Sequence, residues 1–335
     1  MNLLIITNNP NRASFRQRIG VYLDYLNANG INCKVELLPS GIIARGRLFK
    51  SAENYDGVFL HKKKLNRLDA ITLRKYSRKI IYNYDDAIMF SHKNPVRYSR
   101  SHFVPFRRTI KLADMVIVGS DYLARQGQSF NSNIHILPIG LNTSDYTPDS
   151  TIKKEDGNVR LVWIGSDNTL SYLKDIKPII EEIGQKYSNV KLRIICDSFL
   201  DLKNIEVEKR KWSAQTRGHD LSTGDIGLAP LPDNPFTRGK CSFKVLEYSA
   251  SSLPVVASPI GTNSKYVKDN ITGFLATNHD QWCQNIIKLI ENSQLRIKMG
   301  KEGQLYAQEY DISVIAKRLS GLIAKCLNID SKIIA

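Results

Sequence analysis

Two lysines and a glutamate stand close together in RGKCSFKVLEYSASSLPVVASPIGTNS, residues 238–264. If a helix opens at Lys240, then Lys240 and Lys244 are four apart on one face, and Glu247 follows one turn along it. Gly239 and Ser242 beside that helix start leave backbone N–H groups free at the positive end of the dipole. Two ammonium groups there suit a diphosphate, and a carboxylate one turn on suits sugar hydroxyls. The same spacing also fits an internal Lys–Glu pair on an ordinary helix. A second acidic pair, Asp85 and Asp86, closes the apolar run IIYNY. A carboxylate at that strand end can polarise an acceptor hydroxyl, bind sugar hydroxyls, or simply cap a turn. Arg16 and Arg18 fall in what the pattern reads as the first turn of the first helix, where positive charge opposes the dipole. That cost points to an anion, such as an acceptor phosphate, although a solvated surface serves equally.

The elements that must position these residues alternate between short β-rich runs and helical patterns. In the first half the strands are expected at residues 3–7, 33–38, 57–61, 79–84, 115–120 and 134–139, with helices such as 15–29 and 68–77 between them. Ser14 and Gln17 fit a capping box opening the first helix. The polar, proline-containing stretch LNTSDYTPDSTIKKEDGN, residues 141–158, reads as a linker. The alternation then restarts with VRLVWIG, VKLRIIC, IGLAPL, PVVAS and GFLA, and helical patterns fill residues 278–328. This implies two doubly wound α/β domains with parallel sheets, facing a shared cleft.

The chain has 335 residues, which suits two domains. No apolar run reaches the roughly 20 residues of a spanning helix, and MNLLIITNNPNR reads as a strand rather than a signal peptide. The five cysteines (Cys33, Cys196, Cys241, Cys283 and Cys326) are scattered without a CxxC pair, which fits a reducing cytosol. The six histidines, among them His61 at a strand end and His92, show no metal-ligand spacing, so no metal is expected. His61 could face the cleft from its strand end, but a structural role is the stronger reading. The formal net charge is +16, and residues 1–148 carry 22 Lys and Arg against 10 Asp and Glu. An excess so placed implies an anionic partner: nucleic acid, a membrane surface or a phosphorylated substrate. No zinc-finger, RNP, KH or helix-turn-helix pattern supports nucleic acid.

The stretch PLPDNPFTRGKCSFKVLEYSASSLPVVASPIGTNSKYVKDNITGFLA resembles the donor-site block of family-4 glycosyltransferases of the GT-B fold. IIYNYDDAI is similar to a YDxDDA segment of one branch of that family. ADMVIVGSDYLA with IHILPIGLNTSDYTP is similar to the end of its first domain, and RLVWIGS to the opening strand of its second. The resemblance implies a GT-B architecture with an acceptor-side domain over residues 1–148 and a donor domain over 149–335, the last helix packing back on the first domain. It implies a retaining transfer from a nucleotide-sugar to a glycan or polyprenyl-diphosphate-linked acceptor, in surface polysaccharide or lipopolysaccharide assembly. No cofactor is then required, and the protein would be cytoplasmic, peripheral at an anionic inner membrane face. By position, Glu247 would bind the ribose hydroxyls, with Lys240 and Lys244 near the diphosphate. The Gly165–Ser166 turn would let backbone approach the donor phosphate, and Thr169 follows it as a further donor candidate.

Two departures stand out. The family places a glutamate eight positions before the counterpart of Glu247, where this chain has Gly239; Asp233 and Asn234 are the substitutes at hand for contacting the transferred sugar. The family's GR…K phosphate pair is replaced by GSDNTLSYLK. A GT-B-shaped nucleotide-sugar binder without catalysis is therefore the alternative, with a basic nucleic-acid-binding protein behind it.

Overall fold

Every apolar run singled out above forms a strand, because parallel strands covered on both faces are built from β-branched and large apolar side chains. A computed structural model of the chain describes residues 1–91, 94–146 and 157–328. The chain divides into two units. The first comprises Met1–Gly140, Asn234–Cys241 and the C-terminal stretch from Ile312; the second comprises Leu141–Asp233 and Ser242–Asp311.

In the first unit, strands β1 (Asn2–Thr7), β2 (Asn32–Leu37), β3 (Gly57–His61), β4 (Ile80–Tyr84), β5 (Met115–Val118) and β6 (Ile134–Ile136) pair in parallel, in the order β2-β1-β3-β4-β5-β6. Helices α1 (Ala13–Arg18), α2 (Leu23–Ala28), α3 (Ile42–Ser51), α4 (Arg67–Tyr76), α5 (Arg100–Leu112) and α6 (Asp121–Gly127) connect them. Successive residues point to opposite faces. Leu4, Ile6, Leu60 and Tyr82 pack with Leu73 of α4 and Phe106 of α5. Leu3, Ile5, Phe59 and Ile81 pack on the other face.

The second unit repeats the plan with β7 (Val159–Ile164), β8 (Val190–Ile195), β9 (Glu206–Arg210), β10 (Ile226–Ala229), β11 (Val255–Ala257) and β12 (Gly273–Leu275). All its pairs are parallel, and the order is β12-β11-β10-β7-β8-β9. Its helices are α7 (Asp167–Asp175), α8 (Lys177–Lys186), α9 (Arg217–Ser222), α10 (Phe243–Ala250), α11 (Asn263–Tyr266), α12 (His279–Glu291) and α13 (Ser293–Ala307). Helix α14 (Ile312–Cys326) lies in the first unit, where Ile315, Leu319 and Ile323 join the face of Leu3 and Ile5.

Several expectations need correction. The division falls after Gly140 rather than after 148, and Asn234–Cys241 groups with the first unit, not the second. The first long helix is three pieces, α1, a 3-10 turn at Gly20–Tyr22 and α2, because Ile19 leaves helical geometry at φ −133°. Arg12, not Ser14, is its N-cap, and no side chain caps it, so the Ser14–Gln17 box does not form. The stretch at 141–158 is not all linker: Leu141 and Tyr146 are buried and Thr143–Tyr146 is a 3-10 turn, while residues 147–156 lie outside the described residues. Strand β9 went unread because EVEKR is polar. It holds the sheet edge through charge pairing, with Glu208 accepting from Arg160 at 2.9 Å and from Arg193 at 2.6 Å.

Tyr248 of α10 ties the second sheet together. Its hydroxyl accepts from the Ile164 N–H at 3.0 Å and donates to the Leu228 carbonyl at 3.1 Å, and Gly227 exists because a Cβ there would meet the ring at 2.5 Å. Tyr248→Phe leaves a buried N–H unsatisfied, so denaturant unfolding should register a loss of about 1–3 kcal/mol; an unchanged midpoint would remove the hydroxyl from this role.

Candidate active site

In open parallel sheets, ligands bind beyond the carboxyl ends of the strands, where the strand order reverses. In the second unit that place is between β7 and β10. Gly165 follows β7, and its lack of a Cβ makes room for neighbouring side chains: a Cβ would sit 2.4 Å from the Trp163 ring and 2.7 Å from Thr169 Oγ1. Ser166 caps α7, and its N–H donates to Thr169 Oγ1 at 3.1 Å. The Thr169 hydroxyl donates back to the Ser166 carbonyl at 2.9 Å, so it is occupied in the turn.

Glu247 is buried on α10, and its Oε1 accepts from the Tyr146 hydroxyl at 2.9 Å. Arg217 lies over the Tyr146 ring at 5.1 Å and pairs with Asp145 at 2.9 Å. Burial pushes the Glu247 carboxyl up to about 6, against the pull of Arg217, the Tyr146 hydrogen bond and Lys244. Burial, and then the Glu247 charge, push the Tyr146 phenol far up, so Tyr146 remains a donor. Lys244 packs over the buried Trp163 ring at 4.2 Å. Tyr146 went unnoticed in the sequence because it lies inside the polar stretch 141–158, which has no apolar period.

The lysine pair does not share a helix face. Helix α10 begins at Phe243, and Ser242 before it is left-handed at φ 49°, an uncommon conformation for a serine. Lys240 is extended, follows the 3-10 turn Thr237–Gly239, and belongs to the first unit. There its Nζ reaches Asp86 Oδ1 at 3.2 Å and lies 4.7 Å above the Phe236 ring. Gly239 now has a physical reason: a Cβ would stand 2.6 Å from the Cβ of Ala87. A glutamate could not enter without moving that backbone. Of its proposed substitutes, Asp233 is exposed at the end of a second-unit segment. Asn234 Oδ1 accepts from the N–H groups of Phe236 and Thr237, each at 3.0 Å, which shapes the turn.

In the first unit the residues after β1, β3 and β4 surround a cavity of about 600 Å³, lined by Arg12, Ser14, His61, Lys62, Lys64 and Asp86 among others. Lys62, left-handed at φ 54°, bridges Asp85 at 2.8 Å and Asp86 at 2.5 Å. Burial alone would lower its ammonium, but the two carboxylates outweigh that and hold it well above its usual range. Asp86 is likewise held well below the carboxylate range: burial opposes this, and Lys62 and Lys240 overcome it. Burial, then Lys63, brings Lys64 down to about 8, and its Nζ donates to the Ile88 carbonyl at 2.8 Å.

His61 faces the same cavity. Asn83 donates its amide to the Ile117 carbonyl at 3.0 Å, so its oxygen accepts from His61 Nδ1, also at 3.0 Å. That fixes Nε2 as a lone-pair acceptor, and it is buried without a partner. Burial, partly offset by Asp85, lowers the imidazole to about 4, which keeps it neutral. The arginines differ from expectation. Arg16 and Arg18 lie in the last turn of α1, where the dipole favours them, so the argument for an anion fails. Arg18 is buried, donates to the Leu137 carbonyl at 2.6 Å, and leaves Nε and Nη2 without partners; Arg12 lines the cavity instead.

A pH experiment tests the Glu247 environment. The folded carboxyl holds its proton to about 6 against an ordinary 4.5, so its contribution to stability is full below 4.5 and declines as pH rises through 6. Glu247→Gln cannot ionise. Its unfolding free energy relative to the parent should therefore rise by about 2 kcal/mol as pH passes through that window. A difference that stays flat with pH would mean that the parent carboxylate is not desolvated.

Comparison with known proteins bears on the fold and on part of the sequence. Residues 150–292 match the family model of Glycosyl transferases group 1. A D-inositol 3-phosphate glycosyltransferase of Corynebacterium efficiens is 29% identical over 82 residues, 24% of this chain and 19% of that protein, so the likeness spans about a fifth of the curated relative. Among solved structures, HepE of Anabaena in complex with UDP and glucose has a TM-score of 0.69 at 15% identity, covering 97% of this chain and 100% of that one. WaaG, a glycosyltransferase involved in lipopolysaccharide biosynthesis, has a TM-score of 0.69 at 14% identity, covering 96% and 99%. The chain therefore has the GT-B fold of these structures, and its residues 150–292 match the family model of the group 1 glycosyl transferases.

Proposed function

We propose that the protein is a retaining glycosyltransferase that moves a sugar from a nucleotide-sugar to an anionic glycan or lipid-linked glycan acceptor in surface polysaccharide or lipopolysaccharide assembly. The observation that carries the reading is Glu247: a buried carboxylate, beside the strand-order reversal of the second sheet, with a tyrosine donor already on one oxygen. With a carboxyl at about 6 it is mostly ionised at neutral pH and can accept from the ribose hydroxyls of a bound nucleotide. Lys244 and the N–H groups opening α10 meet the charge that grows on the departing diphosphate, and no cofactor is required.

The acceptor side of the reading is the first-unit cavity. Neutral His61 offers Nε2 as acceptor for a hydroxyl proton, and Asp86 stays anionic between its two lysines. Arg12 and Lys64 give that cavity charge for an acceptor phosphate, which agrees with relatives named for inositol 3-phosphate. A thermal-shift panel of UDP-, GDP- and dTDP-sugars should find one that raises the melting temperature of the parent and fails on Glu247→Gln. Asp86→Asn should keep that shift and lose transfer by about 10²-fold. If no nucleotide-sugar stabilises the parent, the donor assignment falls.

The same reading places the enzyme at an anionic membrane surface, but not through the run Lys62–Lys64. Lys62 is enclosed by Asp85 and Asp86, and Lys64 is tied to Ile88. Among the described residues, one exposed basic and apolar surface is on α3 and α4. Ile42, Ile43, Leu68 and Ile71 are all more than half exposed, and Arg45 joins the two helices through Asp69 at 3.0 Å. Beside Ile71 runs a groove with Arg67, Arg74, Lys75 and Arg108. Greasy side chains rimmed by cations suit an interface with acidic lipid. The chain should bind anionic vesicles at low salt and release them as salt rises. Changing Ile42, Ile43, Leu68 and Ile71 together to Ser should weaken binding by about tenfold or more; equal binding to neutral vesicles would rule the surface out.

A further inference from the structure

Helices α8 and α12 lie side by side over one face of the second sheet. Ile179, Ile180 and Ile183 of α8 share a core with Trp282, Ile286, Leu289 and Ile290 of α12. Near the end of this seam Tyr187 donates to Glu291 at 2.5 Å. Near its start stands a different group. His279 opens α12, Cys283 follows four residues later on the same face, and Glu182 reaches across from α8. His279 Nε2 is 3.3 Å from Glu182 Oε2, and its Nδ1 is 3.8 Å from Cys283 Sγ. One ligand atom from each of the three lies within 4.8 Å of the others.

We propose that Glu182, His279 and Cys283 bind a zinc-like divalent ion that fastens α12 to α8. The donors are one thiolate, one imidazole and one carboxylate, the borderline set that selects zinc or cobalt over magnesium or calcium. Metal bonds of about 2.0–2.1 Å to nitrogen and oxygen in a tetrahedron put those two ligands roughly 3.3–3.4 Å apart. The His279–Glu182 separation of 3.3 Å already meets this, so closing the site asks mainly for the sulfur to move inward. Asp280 Oδ1 lies 3.7 Å from His279 Nδ1, near enough to accept its proton after a small rotation and so fix Nε2 as the ligand.

The charge around the cluster also favours a cation. In a chain with net charge +16, neither Glu182 nor Asp280 forms a Lys or Arg ion pair among the described residues. The Cys283 sulfur, the His279 ring and the Glu182 carboxylate converge on one point, where a divalent ion would meet all three. Binding converts the thiol to a metal-bound thiolate and releases one proton to solvent, with no change of oxidation state. Three protein ligands leave a fourth position for water. No sequence spacing announced the set, because Glu182 comes from a distant helix and only the His–Cys pair is local.

The test uses the intact chain, freed of tags and stripped of metal, titrated with Co²⁺. One equivalent should produce the thiolate-to-cobalt charge-transfer band and the intense visible bands of a four-coordinate ion. Cys283→Ser should abolish the charge-transfer band. His279→Ala and Glu182→Gln, at exposed positions that do not threaten folding, should each weaken affinity by about tenfold or more. Zn²⁺ should displace Co²⁺ and raise the melting temperature of the parent but not of His279→Ala. Overturning results are a six-coordinate spectrum without the thiolate band, which means an adventitious ion only, or a band that persists in Cys283→Ser. Affinity unchanged in both His279→Ala and Glu182→Gln would also overturn the site.

Discussion

The organising constraint of the first unit is the Asp86 carboxylate, held between two lysines that come from far apart in the chain. Paired buried charges are tolerated, whereas an orphaned one is strongly destabilising. Lys62 meets the carboxylate by entering the left-handed region directly after β3. Lys240 meets it from a 3-10 turn whose close approach to Ala87 demands Gly239. The chain then re-enters helical geometry through left-handed Ser242, and α10 starts there with Glu247 on its second turn. The glycine that looked like a lost catalytic glutamate is thus a condition for placing a lysine on a carboxylate.

The two acids have opposite settings, Asp86 half-buried and Glu247 fully buried. Asp86 is compensated by cations at short range and stays ionised across the physiological range. Glu247 has a neutral donor on one oxygen and cations only at a distance, so burial dominates and its proton lingers. The first is a fixed charge. The second is mostly ionised at neutral pH but keeps a share of its proton, and further hydrogen-bond donors would favour its charged form.

What could be read in the sequence follows from which signals are local. Strands β1, β3, β7 and β8 are covered on both faces, so apolar runs revealed them. β9 is an edge strand held by arginine–glutamate pairs and gives no apolar signal. The helical placement of Glu247 was legible because its neighbours in sequence are also its neighbours on α10. Lys240 was misassigned because a helix drawn back by three residues looks identical in sequence, and only the Ser242 backbone stops it. Tyr146 was passed over, and His61 was read chiefly as structural, for another reason. Each acquires its role from a partner on a different element, Glu247 in one case and Asn83 in the other.

The division of the chain bears on the order in which it can fold. The second unit is closed on itself: its first residue, Leu141, bridges its last, Asp311, and Thr143 donates to the Asp311 carboxylate at 2.7 Å. Only the short excursion Asn234–Cys241 interrupts it. The first unit begins earlier, but one wall, which Phe15, Tyr22 and Leu26 cover in part, is complete only when α14 joins Leu3, Ile5, Phe59 and Ile81. During synthesis part of that apolar face therefore waits open while the unit made second completes. The half that starts first is the half that finishes last, and the open part of its apolar face is exposed to aggregation across that interval.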